Sequence, residues 1–170
     1  MTKTVITFMA KLVNFDTTLP FAKVISRLDV EINKAGSTKI LGDLRAVRNQ
    51  EEFMSVVKKT TTGQDFLYFW EVPHNVLLKF ADGKDKPGIV VYTFGNPLFA
   101  QAILKDNPFA AYNIPPRLLI LEKPDGATVS YHLPSSVMGV PNGENNAVLQ
   151  AELDALDQKV ERLAMKVTAV

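Results

Sequence analysis

Ile89-Val-Val-Tyr-Thr-Phe94-Gly95-Asn96-Pro97-Leu-Phe-Ala-Gln-Ala-Ile-Leu104 is the stretch whose reading decides the fold. Its β-branched and aromatic residues predict a buried strand over 89–94. Gly95 gives the backbone the freedom to turn a corner. Asn96 offers a side-chain oxygen to cap a helix, and Pro97 suits the first helical position, where its missing N–H is no loss. The apolar run from Leu98 to Leu104 then reads as that helix. Backbone N–H groups exposed at such a corner suit an anion or a ligand carbonyl.

Outward from the corner, toward the N-terminus, Phe66-Leu-Tyr-Phe-Trp-Glu-Val72 predicts an aromatic-rich strand that stops at Pro73. Val76–Phe80 reads as a further strand, joined as a hairpin to 89–94 by the polar loop 81–88. Toward the C-terminus, Asn107-Pro108 breaks the pattern, and Pro115-Pro116 bars a helix before a strand over 117–122. Pro124-Asp125-Gly126 marks a turn. The strand over 128–133 alternates, with Val129, Tyr131 and Leu133 on one face and Thr128, Ser130 and His132 on the other. Residues 134–146 read as loop. Leu149, Leu153, Leu156, Val160, Leu163 and Val167 then recur in steps of four and three, with acidic residues early and basic ones late, which predicts a long amphipathic helix.

The first third is mixed. Thr4–Val13 predicts a strand, followed by a polar break at 14–18. Phe21, Ile25, Leu28 and Ile32 share one face of a helix over 19–35 that Gly36 ends. Lys39–Leu44 reads as a short strand bulged at Gly42. A second short helix follows Asn49 and ends before Thr60. Strands in runs, with helices near the start and end, give an α+β fold: an antiparallel sheet packed on helices. Residues 1–145 form the expected domain. Residues 146–170 form an amphipathic helix that packs on it or pairs with a second copy to give a homodimer.

Composition narrows the function classes. The 170 residues carry a net charge of +1, with 46% hydrophobic and 22% charged residues. Such a chain has no basic stripe for nucleic acid and no polybasic cluster for a membrane surface, and no apolar run long enough to span one. Cysteine is absent, which removes disulfides, thiolate nucleophiles and cysteine metal sites. The N-terminus lacks a signal-peptide pattern, so a cytoplasmic protein is expected. The two histidines, His74 and His132, are not in ligand-spacing motifs, and no metal is expected. No phosphate loop or dinucleotide fingerprint is present, and no cofactor is expected.

Phe94-Gly95-Asn96-Pro97, Asn107-Pro108, Ile114-Pro115-Pro116-Arg117-Leu118, Asp125-Gly126 and Val129-Ser130-Tyr131 occur in an order that resembles the domain-of-unknown-function family DUF302. The resemblance covers roughly residues 92–134, with a weaker echo in the first strand and helix. It implies a TATA-binding-protein-like, helix-grip-like β-α-β(4)-α arrangement, the sheet wrapped on a long helix. Where the family pattern ends a strand in Tyr-Asn, this chain has Tyr131-His132-Leu133-Pro134. The segments 43–63 and from Asn142 onward are longer than in compact members.

The candidate site follows from these placements. Trp70, Phe69, Phe94 and Phe99 are expected to wall an apolar cavity between helix and sheet, with Asn96 at its corner and Arg117 as a clamp for a ligand anion. The first functional expectation is a protein that binds a small, largely apolar molecule there. The alternative is a cofactor-independent isomerase, cyclase or lyase, with His132, Tyr131, Tyr92 and Glu71 as acid–base groups in a dry pocket. A third is an oligomeric interaction module built on the terminal helix.

Overall fold

A computed structural model describes residues 1–141 and 143–170. Asn142, within the stretch read as loop, lies outside the described residues. The elements are β1 (Leu12–Thr17), α1 (Phe21–Glu31), α2 (Lys34–Ser37), α3 (Ile40–Ala46), α4 (Gln50–Thr61), β2 (Leu67–Pro73), α5 (His74–Asp82), β3 (Ile89–Gly95), α6 (Pro97–Asp106), a 3-10 turn (Pro108–Tyr112), β4 (Arg117–Lys123), β5 (Gly126–His132), α7 (Pro134–Met138) and α8 (Ala147–Thr168). One five-stranded sheet runs in the order β1-β5-β4-β3-β2. Every neighbouring pair is antiparallel. This is the α+β layer that the strand pattern implies.

The core lies between one face of the sheet and the helices. Tyr92 and Phe94 of β3, Leu118 and Ile120 of β4, and Val129 and Tyr131 of β5 meet Val24, Leu28 and Ile32 from the α1 region. From α8, Leu149, Leu153, Leu156, Val160, Leu163 and Val167 close the same cluster. The whole apolar stripe of α8 is therefore used within the chain. A 22-residue helix with one buried face is held by this packing more than by its own propensity. No helix among the described residues is long and apolar enough to cross a membrane.

Several local expectations are corrected, among them the helix read over 19–35, which ends as α1 at Glu31, with Gly36 inside α2. The first strand is Leu12–Thr17, not 4–13, and residues 1–11 are exposed and form no strand. The polar residues read as a break are the outer face of that strand. The Ser130 hydroxyl donates to Asn14 Oδ1 at 2.7 Å, and the Thr128 hydroxyl to Asp16 Oδ1 at 2.5 Å. Residues 40–46 form helix α3 rather than a bulged strand, with Ile40 buried and Gly42 facing open space. Residues 74–82 form helix α5 rather than a strand, and the antiparallel partner of β3 on that side is β2. Gly83, at φ 72°, ends α5 in the left-handed conformation that glycine adopts without strain. The stretch read as loop also contains the short helix α7.

Candidate functional site

The strand-to-helix corner forms as its residues dictate. Asn96 Oδ1 accepts from the Leu98 N–H at 2.9 Å and caps α6, while its Nδ2 donates to the Asp65 carbonyl at 3.0 Å. Both ends of this amide are thus committed to the fold. Gly95 is buried, and a Cβ there would stand 3.2 Å from the Phe69 ring and 3.4 Å from Pro115. The Ile114–Pro115 bond is cis, and both prolines of 115–116 line this corner.

Around the corner lies an apolar recess of about 50 Å³. Phe66, Phe69, Phe99 and Pro116 wall it, and Ile103 of α6 and Leu156 of α8 help to line it. The Phe66 ring meets Phe94 edge-on at 5.0 Å and Phe99 at 6.1 Å, so the walls are themselves packed. Lys159 Nζ sits 4.9 Å above the Phe99 ring. At ~10–15 Å³ for each water-sized atom, the recess admits about four heavy atoms. Away from the recess, the space between α8 and the sheet is taken up by the buried side chains of the core.

A second cluster gathers at the β2 edge. Asn33, at φ 46°, ends α1 and turns the chain back into α2. The Tyr68 N–H donates to the Ile32 carbonyl at 2.8 Å and ties this turn to β2. Lys34 Nζ then lies 2.6 Å from Glu71 Oε2 and 3.4 Å from Asp29 Oδ1. It also donates to the Tyr92 hydroxyl at 3.3 Å and lies 5.2 Å from the centres of the Tyr68 and Tyr92 rings. The Tyr92 hydroxyl donates to Asp29 Oδ1 at 3.0 Å. Burial, then the Asp29 and Glu71 carboxylates, push the Tyr92 hydroxyl far above its ordinary range. Burial opposes the charge on Lys34, but the hydrogen bond to Glu71 and the charge of Asp29 outweigh it and raise its pKa. Near neutral pH, Lys34 stays an ammonium and Tyr92 a neutral hydroxyl, and neither accepts a proton. The arrangement is an internal clamp between α1, α2 and the sheet.

Of the four acid–base candidates, Tyr92 and Glu71 meet in this clamp. Tyr131 projects from β5 onto the helix side, stacked on Phe15 with ring centres 6.4 Å apart. Burial, with Glu161 and Asp157 nearby, pushes its hydroxyl up to about 12. His132, the next residue on the strand, points to the opposite face and is exposed. Among the ligand-binding candidates, Phe69, Asn96 and Phe99 meet at the recess, with Phe94 packed behind Phe66. Arg117 and Trp70 lie on the other face of the sheet, flanking Thr93 in register. Asp29 and Lys34 escaped the sequence reading: they straddle a helix end, and nothing in their spacing points to Glu71. Among the described residues, no group of three metal-ligating side chains comes together.

Comparison with known proteins agrees with this architecture. The family model for the domain of unknown function DUF302 matches residues 45–167. The chain is also similar to the crystal structure of an uncharacterized conserved DUF302 protein from Bacillus stearothermophilus. That likeness covers 92% of this chain and 97% of the other, at 13% identity and a TM-score of 0.63, and shows the shared fold. No curated protein matches.

Proposed function

Because the chain belongs to the DUF302 family, a family of unknown function, we propose from its own geometry that it is a small-molecule-binding protein. It grips the apolar end of its ligand in the corner recess between α6 and the ends of β2 and β3. The observation that carries this reading is the convergence of Phe66, Phe69, Phe99 and Pro116 on one apolar recess. Ligand pockets of ~300–1,000 Å³ enclose whole molecules. At about 50 Å³, this recess takes a branched aliphatic tip and leaves the rest of the ligand over its rim.

The test uses 3-methylbutan-1-ol as the probe. About four buried heavy atoms at ~1 kcal/mol each give a Kd near 1 mM. Methyl NMR shifts are expected at Ile103 and Leu156. Ala100 of α6 also lines the recess, and Ala100→Leu is expected to fill it and abolish these shifts while the protein stays folded. Shifts that survive this substitution, or that map elsewhere, refute the assignment.

A further inference from the structure

We infer that the open face of the sheet is a second binding site, built for a small amphipathic carboxylate. Side chains of alternate strand residues point away from the core and leave a groove of about 570 Å³, lined by strand residues alone. The register sorts this face into rows. Arg117 stands beside Thr93, and Thr93 beside Trp70. The next row runs Ser130, Leu119, Val91 and Val72, and the one after sets Leu121 beside Thr128 and Ile89. A cationic end therefore adjoins an apolar floor that spans ~13 Å from Arg117 to Leu121 at the rise of a strand.

The charges select the occupant. Asp16 and Lys123 also line the groove, and their ion pair at 2.5 Å neutralises both. Asp16 Oδ1 also accepts from the Thr128 hydroxyl. Arg117 is exposed and has no carboxylate partner among the described residues. Its planar fork of donors matches a carboxylate in two parallel hydrogen bonds. Among the charged residues that line the groove, Asp16 and Lys123 offset each other and Arg117 is left over, so the face carries one unbalanced positive charge. A molecule that complements it has one carboxylate and an apolar body about as long as a medium-chain fatty acid. The groove volume falls within the range that holds such ligands. This site shares no lining residue with the corner recess, so each reading stands or falls alone.

The experiment titrates the full chain at low salt with octanoate, and in parallel with octan-1-ol, which has the same body without the charge. Amide NMR shifts are read along β3 and β4. Octanoate is expected to bind about 10-fold more tightly than the alcohol. Arg117→Gln is expected to erase that preference, Leu119→Asp to remove both ligands, and Ala100→Leu to leave octanoate binding unchanged. Equal affinity for the two probes, an unaltered preference in Arg117→Gln, or shifts confined to the corner overturn the proposal. So does sedimentation showing a dimer that Leu119→Asp dissolves, since the face would then belong to a second copy of the chain.

Discussion

Replacing Lys34 by Met removes the cation that bridges Asp29 and Glu71 at the β2 edge. The Lys34 ammonium lies 2.6 Å from one carboxylate and 3.4 Å from the other. Breaking a fully buried pair costs about 3–5 kcal/mol, because the remaining charge is left without a partner. Here the three side chains keep 26%, 32% and 29% of their exposure, so water screens part of the loss. Discounted for that screening, the expected destabilisation is ~2 kcal/mol, or ~4–8 °C in melting temperature for a chain of this size. Met keeps the aliphatic stem against Tyr68 and Tyr92, so the loss reports the charge. The measurement is denaturant unfolding, with a double-mutant cycle in Glu71→Gln giving a coupling of about 1 kcal/mol. The folded-state pKa of Lys34 is raised, so its contribution is complete below the unfolded value of roughly 10.4 and fades as pH rises through the folded value. The deficit of Lys34→Met is therefore constant from neutrality to about pH 10 and narrows above it. A loss under ~0.5 kcal/mol, or a deficit that widens in alkali, refutes the clamp.

Two further outcomes test the core. Leu153→Ala removes a fully buried side chain of α8 and is expected to destabilise by ~3 kcal/mol, while Val148→Ala on its exposed side costs under ~0.5 kcal/mol; equal losses in urea unfolding contradict the docking of α8. In an ultraviolet phenolate titration of the native protein, Tyr131 ionises at about 12 and Tyr92 stays neutral until the chain unfolds. A Tyr131→Phe variant that leaves the step near 12 in place places that step elsewhere.

Much of the architecture was legible because it is local chemistry. The β3–α6 corner follows from Gly95, Asn96 and Pro97 in three consecutive positions. The span and buried stripe of α8 follow from spacing in steps of three and four, and the two faces of β5 from alternation. Where the reading failed, short apolar runs were ambiguous between periods. Val76-Leu-Leu-Lys-Phe80 fits a strand and a helix equally well. In the folded chain it is part of helix α5. Asn14 and Asp16 read as a break because their partners, Ser130 and Thr128, lie more than a hundred residues away in sequence.

The sequence by itself determined the fold class, the corner and its capped helix, and the apolar stripe of α8. Only the tertiary structure decided that core side chains take up the space between α8 and the sheet, that Lys34 closes on Glu71, and that Arg117 and Trp70 stand on the face away from the recess. The reason is physical. Capping, turning and periodicity act over a few residues and are written in the local order of side chains. The volume left between layers and the partner a charge finds depend on how distant segments come to rest against one another.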